Sequence, residues 1–388
     1  MNILLALFKY FPQGGLQKDT LRFAQEAARR GHIVTIFCSS WQGDKPEGIN
    51  VLAQPIHAWT NYGAMECFRK AVADYLQTHD VDVSLAMNRI PGCDAYFVAD
   101  SCMGKWMRSQ HSPLVLACHP RYRTYLRHEE SLCSPNAHTK LFYIAESQHR
   151  EYAQWYSLPE ERFVYLPPGM DERCRLQEND DVRRRKRAQL GLGDGTLAFF
   201  LAGTNLLRKG VDRVLAAVKA LPENLDVRFF LAGKENPTKV RRMVEKLGVP
   251  DERFCFLGAR DDVPDLMQAM DLMIHPAREE GTGTVLIEAI ASGLPVVCSQ
   301  VCGFENFVRE ATGTVVPEPF SQETLNQMVL HAINDLPALK QSTREYAKHQ
   351  DFTGRSRVAV DELEKIARSK LVSHSSAGSQ PPDNDARN

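Results

Sequence analysis

The chain has 388 residues, which is too many for one ordinary α/β domain and suits two, and 43% of them are hydrophobic, enough for two buried cores. The formal net charge is −1, so no overall field draws the protein to nucleic acid, and we expect no nucleic-acid partner. The ten cysteines form no CxxC pair and no zinc-like pattern with histidine, which is typical of reduced thiols in a cytoplasmic protein.

The opening residues predict a buried strand over 3–8 rather than a secretory signal, because they lack a basic start and a small-residue cleavage site. Gly14 and Gly15 lie in the loop that follows, and a helix over 16–30 then leads to a strand over 33–38. This βαβ pattern indicates a parallel sheet. The glycines either form a tight turn or let the backbone approach a phosphate. Further strands are predicted over residues 83–87, 95–99 and 140–145.

Residues 103–130 combine basic and aromatic side chains with the apolar stretch PLVLA. Such a mixture suits the interface of an anionic membrane, where Trp and Tyr lie at the level of the headgroups and Arg meets phosphates. It suits a phosphorylated acceptor equally, and it is also typical of an amphipathic core helix with snorkelling arginines. No segment approaches the roughly 18 apolar residues of a membrane span. We therefore expect a protein that is at most peripheral to a membrane.

The strand, loop and helix pattern begins again at Thr196, with a strand over 196–203, a loop over 203–210 and a helix over 211–220. The chain is thus predicted to hold two facing Rossmann-like, doubly wound α/β domains with a cleft between them. Ligands are expected at the carboxyl ends of the strands. The next predicted elements are a strand over 227–233, a strand over 271–276, a helix over 284–292 and a strand over 295–299.

The join between the domains is predicted at LPPGMDER, residues 166–173, where two prolines and Gly169 end a strand and act as a hinge. It separates a first domain over 1–167, expected to bind the acceptor, from a second over 168–345, expected to bind a nucleotide sugar. The two assignments follow from the site residues described below.

The end of the chain is predicted to be helical and then disordered. Helices are expected over 321–336 and 343–370, and the part over about 350–370 is expected to pack back on the first domain. Residues 371–388 have too little apolar content to fold and are predicted to form a disordered tail.

Two carboxylates, Glu280 and Glu288, bracket a Gly-Thr-Gly-Thr loop that runs into the helix predicted over 284–292. Free N–H groups at the start of a helix and the positive end of its dipole favour a diphosphate. Glu288, about one turn into the helix, is placed to accept hydrogen bonds from ribose hydroxyls, and Glu280 is placed beside a hexose. Each glutamate alone is more typical of a surface residue, but together with the preceding strand they predict a sugar-nucleotide site.

Arg208 and Lys209 follow the first strand of the second domain, where two cations are able to neutralise a diphosphate as its bond to the sugar breaks. Taken alone, such a pair is typical of a solvated basic loop. Asp19 in the first helix and Asp100 after a strand are candidates for orienting a donor hydroxyl or deprotonating the acceptor. The alternatives are charge complementation at the helix start for Asp19 and a cap or turn for Asp100.

Two other kinds of site fit the sequence less well. The first loop, KYFPQGGLQKD, has no GxGxxG, and no acidic residue ends the next strand, which disfavours a dinucleotide-dependent oxidoreductase. Asp80 and Asp82 have Asp-x-Asp spacing, but they precede a strand, at the end where ligands do not bind. The sequence therefore requires no metal and no cofactor.

The segments FKYFPQGGLQKD, LPPGMD, RKGVDR and HPAREEGTGTVLIEAIASGLPVVCSQVCG resemble the lipopolysaccharide core glucosyltransferase I family, a branch of the retaining GT-B transferases in glycosyltransferase family 4. The resemblance covers nearly everything from Met1 to about Lys370. It implies transfer of glucose from UDP-glucose to an inner-core heptose of lipopolysaccharide, with retention, in an α-1,3 linkage and without metal. It also implies action at the cytoplasmic face of the inner membrane. Another UDP-sugar or acceptor, a nucleotide-sugar epimerase and a catalytically idle scaffold stay open as alternatives.

By matching position, the resemblance implies that Glu288 binds ribose and Glu280 the sugar, and that Arg208 and Lys209 bind the diphosphate. Asp100 stands where other members of the superfamily often carry a histidine, and a carboxylate does not make the same cationic contact. The further donor-binding candidates are Gly14, Gly15, Arg173, Arg260, Gly283, Thr284 and Val285.

Overall fold

The computed structural model describes residues 1–12, 14–176 and 180–377, and the chain forms two compact units. The first unit comprises Met1–Pro167 and the chain from Gly354 onward, and the second unit comprises Pro168–Thr353. Each unit is built around its own parallel sheet.

The elements up to the end of the first sheet, in chain order, are β1 (Asn2–Ala6), β2 (Lys9–Tyr10), α1 (Gly15–Arg29), β3 (Ile33–Cys38), β4 (Ser40–Trp41), β5 (Asn50–Ala53), α2 (Asn61–Thr78), β6 (Val83–Ala86), β7 (Ala95–Val98), α3 (Met103–Gln110), α4 (Pro113–Cys118), α5 (Pro120–Leu132), β8 (Lys140–Tyr143), α6 (Glu146–Tyr156) and β9 (Phe163–Tyr165).

The remaining elements are α7 (Asp181–Gln189), β10 (Leu197–Ala202), α8 (Val211–Ala220), β11 (Val227–Ala232), α9 (Pro237–Leu247), β12 (Phe254–Gly258), α10 (Val263–Ala269), β13 (Leu272–His275), α11 (Thr284–Ala291), β14 (Val296–Ser299), α12 (Glu305–Ala311), β15 (Val315–Val316), α13 (Gln322–Asn334), α14 (Leu336–Lys348) and α15 (Arg355–Ala377). Short 3-10 helices span Glu160–Arg162, Glu172–Cys174 and Asp251–Arg253.

Both large sheets follow the doubly wound pattern. The strand order is β5-β3-β1-β6-β7-β8-β9 in the first unit and β12-β11-β10-β13-β14-β15 in the second. In each sheet the chain starts at a central strand, builds toward one side and then crosses to the other. The switch points therefore lie between β1 and β6 and between β10 and β13. The loops that leave the carboxyl ends of these strands are the ones that bind ligands in such sheets.

The central strands are apolar on both faces because helices cover both sides of each sheet. In β1, Ile3, Leu4, Leu5 and Ala6 are at most 2% exposed, and β10 is buried from its second residue onward. Burying an aliphatic or aromatic side chain of this size stabilises a fold by about 1.5–3 kcal/mol. The buried strands thus form rigid platforms for the loops at their carboxyl ends.

The predicted elements around both switch points are confirmed. The strand over 33–38 and the helix over 211–220 have the predicted bounds. The strand predicted over 3–8 is β1, Asn2–Ala6, which ends two residues earlier. The strand predicted over 271–276 is β13, Leu272–His275, which is one residue shorter at each end. Apolar runs extend slightly beyond the hydrogen-bonded ladder, so a sequence pattern overestimates strand length.

The last helix, α15, packs on α1 in the first unit. Arg30 donates to Asp361 at 2.6 Å and to Glu364 at 3.2 Å. Arg355 Nη1 donates to Asp19 Oδ2 at 2.9 Å. The chain thus returns to the first unit after completing the second.

The uninterrupted helix predicted over 343–370 is wrong, because α14 and α15 are separated by residues 349–354. Phe352 in this break is 2% exposed, and its carbonyl accepts a hydrogen bond from Met170 N at 3.0 Å. Asp351 Oδ1 accepts one from Thr353 N at 3.0 Å. A side chain that bonds to a nearby backbone N–H offers the chain an alternative to the helix.

The disorder predicted from residue 371 does not hold for 371–377, because α15 continues through Ala377. Leu371 and Val372 at the start of this stretch are 64% and 68% exposed, and the helix continues from the turns before them. Adding a residue to a formed helix is far easier than nucleating one. The rest of the predicted tail, residues 378–388, lies outside the described residues.

The basic and aromatic segment over 103–130 forms three short helices, α3, α4 and most of α5. Met107, Leu116 and Leu126 pack together in a small cluster of their own. Trp106 and Leu114 point outward, 52% and 73% exposed. Across residues 1–12, 14–176 and 180–377, no helix combines the length and the apolar character that crossing a bilayer requires.

Candidate active site

The switch point of the second sheet brings two of the predicted site residues together. Lys209 lies in the loop after β10, and Glu280 lies in the loop after β13. These strands are neighbours, so their carboxyl ends meet at the same edge of the sheet. Lys209 Nζ and Glu280 Oε2 form an ion pair there. A cation and a carboxylate that are far apart in sequence thus share one site.

This ion pair is largely buried, since only 11% of the Lys209 side chain and 10% of the Glu280 side chain are exposed. Burial and the neighbouring Arg208 cation lower the pKa of Lys209 to about 8, while the contact with Glu280 favours the charged form. Arg208 itself is exposed, and its side chain has no hydrogen bond or ion pair with another described residue. The loop therefore presents one buried and one exposed cation, an arrangement that suits an anionic ligand.

His275, the last residue of β13, was missed by the sequence reasoning. Its side chain is fully buried, and Nε2 lies 3.2 Å from Glu280 Oε2. Burial, and then the charge of Lys209, lower the pKa of His275 to about 3, so the imidazole is neutral at physiological pH. The sequence does show a polar residue at the carboxyl end of a predicted buried strand, and ligand-facing side chains are expected at that end.

Arg278 fixes the two loops against each other, and this residue was also missed. Its guanidinium donates to both carboxylate oxygens of Asp212, at 2.8 and 2.7 Å, and to the Leu207 carbonyl at 2.8 Å. Its backbone N donates to the Arg208 carbonyl at 2.8 Å. Bidentate pairs of this kind fix geometry as well as adding stability. The basic loop is thus held in place next to Glu280.

Two glycines are required by the backbone of these loops. Gly210 has φ +79°, and a Cβ there would lie 2.1 Å from the Pro276 carbonyl oxygen. Gly283 has φ +83° and immediately precedes α11. A residue with a side chain rarely adopts this left-handed conformation. The glycines therefore allow close contact between the loops and an abrupt start to the helix.

The start of α11 is where the sequence predicts an anion site. The first N–H groups of a helix have no partner within the helix, and they carry its positive dipole end. Thr284 and Val285 begin α11 and are partly exposed. Glu288 is half-buried one turn later, on the same face. Thr284, Val285 and Glu288 therefore lie on one helix, and the phosphate and ribose contacts predicted for them stay predictions.

Arg173 and Arg260 each pair with an aspartate two residues away. Arg173 Nη2 lies 2.7 Å from Asp171 Oδ2, and Arg260 Nη2 lies 2.6 Å from Asp262 Oδ2. Their side chains are 67% and 40% exposed. An anion that binds either guanidinium has to compete with the aspartate.

Acidic side chains in and beside the loops after β10 and β13 are paired with cations rather than with one another. Glu280 contacts Lys209, and Asp212 contacts Arg278. Within the residues that the structure describes, no group of three or more His, Cys, Asp or Glu side chains is arranged to hold a metal ion.

In the first unit, Gly14 lies between β2 and α1, and Gly15 is the first residue of α1, the helix that follows the switch-point strand β1. A Cβ at Gly14 would lie 1.8 Å from Gln17 Oε1, whereas a Cβ at Gly15 would meet nothing within 4 Å. Gly15 is exposed at the start of α1. A side chain at Gly14 would therefore displace the end of the Gln17 side chain, whereas Gly15 offers open backbone.

Asp19, on the second turn of α1, is committed to an ion pair. Its carboxylate accepts from Arg355 Nη1 at 2.9 Å, and Arg355 also donates from Nε to the Pro167 carbonyl at 3.0 Å. Only 12% of the Asp19 side chain and 3% of the Arg355 side chain are exposed. The structure thus gives Asp19 a partner on α15, which neither sequence interpretation of this residue included.

Asp100 is exposed two residues beyond β7, and the chain that follows it is held by a buried carboxylate. Glu129 is fully buried and accepts hydrogen bonds from the backbone N of Met103 at 3.0 Å and of Gly104 at 2.6 Å. Arg89 Nε forms an ion pair with Glu129 Oε2 at 2.8 Å. This cap at the start of α3 was missed, because the sequence does not show which carboxylate reaches a distant helix end.

Family models match both halves of the chain. Residues 13–173 match the model described as Glycosyltransferase Family 4, and residues 182–350 match the model described as Glycosyl transferases group 1. The lipopolysaccharide glucosyltransferase WaaG of Escherichia coli (strain K12) is 36% identical over 368 residues, 93% of this chain and 98% of that protein. The lipopolysaccharide core biosynthesis mannosyltransferase LpsB of Rhizobium meliloti (strain 1021) is 32% identical over 38% of this chain and 44% of that protein.

Solved structures show the same architecture. The crystal structure of WaaG, a glycosyltransferase involved in lipopolysaccharide biosynthesis, matches with a TM-score of 0.84 and 35% identity over 93% of this chain and 99% of that chain. Anabaena Alr3699/HepE in complex with UDP and glucose matches with a TM-score of 0.69 over 97% of this chain and 100% of that chain, and at 19% identity it supports the fold alone. The predicted two Rossmann-like sheets of a GT-B fold are confirmed. The chain belongs to the lipopolysaccharide core glucosyltransferase I family of GT-B glycosyltransferases.

Proposed function

We propose that this protein is a retaining glucosyltransferase that moves glucose from UDP-glucose to a heptose of the lipopolysaccharide inner core, in an α-1,3 linkage. The proposal is supported by the 36% identity to WaaG over 93% of the chain. The observation that carries the chemistry is the ion pair of Lys209 with Glu280 beside the start of α11. It combines a cation for a diphosphate and a carboxylate for a hexose in one contact.

The donor is assigned to the loops at the β10 and β13 switch point. Lys209 and Arg208 bind the diphosphate, and the first N–H groups of α11 bind phosphate oxygens. Glu280 accepts a hydrogen bond from a hexose hydroxyl, and Glu288 accepts from the ribose. Gly283, Thr284 and Val285 contribute backbone, Arg260 lies where the backbone reads the uracil, and Arg173 is a further anion contact.

The first unit is assigned to the acceptor. Gly14 and Gly15 are kept as candidates for contacting the donor through their backbone, and Gly15 is exposed at the start of α1. Asp100 is exposed after β7 and is assigned to the acceptor hydroxyl. Both positions are at the carboxyl ends of strands, where ligands bind in sheets of this type.

Transfer proceeds by front-face attack in this proposal. The acceptor hydroxyl oxygen bonds to C1 of glucose on the face from which the diphosphate leaves, so the α configuration is kept. The bond between C1 and the β-phosphate oxygen breaks, and the hydroxyl proton passes to an oxygen of the leaving diphosphate. The products are UDP and the α-glucoside. Lys209 and Arg208 stabilise the charge that grows on the diphosphate, which is the task a metal ion performs in other transferases. We therefore expect no metal requirement.

The test is transfer of radiolabelled glucose from UDP-glucose to heptose-terminated lipopolysaccharide, with and without a chelator. UDP-galactose and GDP-mannose serve as competing donors. We expect chelator-resistant transfer from UDP-glucose, with little competition from either other nucleotide sugar. Loss of transfer on chelation would refute metal independence while leaving the donor assignment intact.

The same experiment separates the alternatives. Consumption or isomerisation of UDP-glucose in the absence of acceptor would favour a nucleotide-sugar epimerase. Transfer from UDP-galactose or GDP-mannose in preference to UDP-glucose would keep the transferase assignment and change the donor. No transfer to the heptose acceptor, with intact UDP-glucose binding, would point to another acceptor.

The protein is also proposed to act as a peripheral protein on the cytoplasmic face of the inner membrane, through residues 103–130. The support is the exposed Trp106 and Leu114 together with the basic side chains of α3 and α5. Binding to anionic vesicles is expected to fall in a Trp106→Ala variant, with little binding to neutral vesicles. Trp59→Ala is the control, because Trp59 is an exposed tryptophan that lies outside the segment. Equal binding to anionic and neutral vesicles would refute the membrane assignment.

A further inference from the structure

His275 is a buried polar side chain to which the proposed mechanism gives no task. It ends β13 directly before the loop of Glu280, and its side chain is fully buried. Its Nδ1 has no hydrogen-bond partner among the described residues. A buried polar atom without a hydrogen-bond partner lowers the stability of the fold. We therefore expect the other ring nitrogen of His275 to make a contact that offsets this cost.

The useful atom is Nε2. A neutral imidazole carries one N–H, and a carboxylate that pairs with a lysine accepts hydrogen bonds rather than donating them. Nε2 lies 3.2 Å from Glu280 Oε2, so the proton is on Nε2 and points to the carboxylate. Glu280 Oε2 then receives both the His275 N–H and the Lys209 ammonium. Oε1 has no hydrogen bond to another described residue.

We propose that His275 is a positioning residue for the donor sugar. The His275 Nε2–H fixes the Glu280 carboxylate, so that Glu280 Oε1 accepts a hydrogen bond from a hexose hydroxyl. This inference deepens the proposed function and rests on it. The chemical class it selects is a nucleotide sugar with a hydroxyl able to donate to that oxygen.

The contact gains importance when the donor binds. Lys209 then has two anionic partners, Glu280 and the diphosphate, and the greater charge of the diphosphate draws the ammonium toward it. Without His275, Glu280 would then be free to adopt several rotamers. Fixing one of them again when the sugar binds costs conformational entropy and weakens binding. His275 is anchored by a buried strand and does not turn away. It therefore keeps Glu280 oriented after Lys209 has moved to the diphosphate.

The test compares His275→Gln with His275→Asn. The amide nitrogen of glutamine reaches about as far from the backbone as Nε2, whereas the amide of asparagine ends near the position of Nδ1. Calorimetry measures the Kd of UDP and of UDP-glucose for each variant, and transfer assays give kcat and KM for UDP-glucose. Thermal unfolding shows that each variant is folded.

We expect His275→Asn to raise the Kd and KM for UDP-glucose about tenfold and to leave the Kd of UDP within about twofold, because UDP has no hexose. His275→Gln is expected to bind UDP-glucose much more tightly than His275→Asn and nearly as tightly as the wild type. An equal loss of affinity for UDP and UDP-glucose, or no loss for either, would overturn the proposal. Wild-type protein that binds UDP but transfers no glucose would instead refute the proposed function.

A second measurement uses the unaltered protein, in case His275→Asn does not fold. Nitrogen-15 NMR of labelled histidine distinguishes the two neutral tautomers. The expected result for His275 is a ring protonated on Nε2 that stays neutral down to about pH 4, since burial lowers its pKa to about 3. A ring protonated on Nδ1 would overturn the proposal.

Discussion

Two ion pairs, one in each unit, are buried to a similar degree but have different surroundings. In the first unit, Asp19 pairs with Arg355, and their side chains are 12% and 3% exposed. In the second unit, Glu280 pairs with Lys209, and their side chains are 10% and 11% exposed. Burial alone therefore does not separate a structural pair from a candidate catalytic pair.

The neighbours of each pair make the distinction. Arg355 also donates from Nε to the Pro167 carbonyl and joins α15 to α1. Lys209 lies beside the exposed cation of Arg208 and close to the open start of α11, and its pKa is lowered to about 8. The first pair closes a structural junction, whereas the second pair is next to groups that suit an anionic ligand. Mutations in the two pairs should therefore affect different properties.

The largest expected effect is on stability, from Asp19→Ala. Removing this carboxylate leaves the buried Arg355 charge unpaired, which costs about 3–5 kcal/mol in comparable cases. Urea unfolding should show this loss, while kcat/KM of the folded protein changes little. Asp44→Ala, at an exposed aspartate of the same unit, is the control. A large fall in kcat/KM with unchanged unfolding would show that Asp19 belongs to the active site.

Lys209→Ala should reverse that pattern. Loss of a group that stabilises transition-state charge lowers the rate by about 100- to 1,000-fold. We expect this fall in kcat/KM for UDP-glucose. The unfolding free energy should change less than in Asp19→Ala, because His275 Nε2 stays within hydrogen-bond distance of the Glu280 carboxylate after Lys209 is removed. Lys239→Ala, at an exposed lysine of α9, is the matched control. Near-normal turnover by Lys209→Ala would remove the central argument for the mechanism.

Gly210→Ala tests whether the loop of Lys209 has to lie tightly against its neighbour. A Cβ there would lie 2.1 Å from the Pro276 carbonyl oxygen, at φ +79°. We expect a loss of about 1–3 kcal/mol in unfolding free energy together with a lower kcat/KM, because the basic loop has to move. Gly195→Ala is the control, since a Cβ there meets nothing within 4 Å. Equal behaviour of the two variants would show that the loop tolerates displacement.

The smallest effect is expected in the pH profile. Lys209 has a pKa lowered to about 8 by burial and by Arg208, so its ammonium is charged below that pH and loses its proton above it. The plot of kcat/KM for UDP-glucose reports the free enzyme, and it should fall as the pH rises through about 8. Lys209→Arg should keep whatever activity it has to higher pH, because a guanidinium stays charged. A flat wild-type profile from pH 7 to about 9.5 would contradict this assignment.

Much of the fold could be predicted because its signals are local. Buried strands of a parallel sheet are continuous apolar runs, as in LAFFLA of β10, and the helix over 211–220 was found with its observed bounds. The break between α14 and α15 could not be predicted in the same way. It depends on burial of Phe352 and on its contact with Met170, which lies far away in the sequence.

The residues of the candidate site were also predictable only where their signals are local. The loop between Glu280 and Glu288 and the pair Arg208 and Lys209 were predicted, since glycine, charge and helix start are read within a few residues. The role of His275 could not be read from the sequence, because a histidine at a strand end is neutral or charged according to its burial.

The sequence by itself determined the two parallel sheets, their loops and the kind of ligand that those loops suit, because hydrophobic periodicity, glycine and helix ends act over short stretches of chain. Only the tertiary structure decided which charges meet. It paired Asp19 with Arg355 across most of the chain, and it placed Lys209 and His275 on the same oxygen of Glu280. Such contacts depend on the order of strands in a sheet and on the packing of a returning helix, so they exist only once the chain has folded.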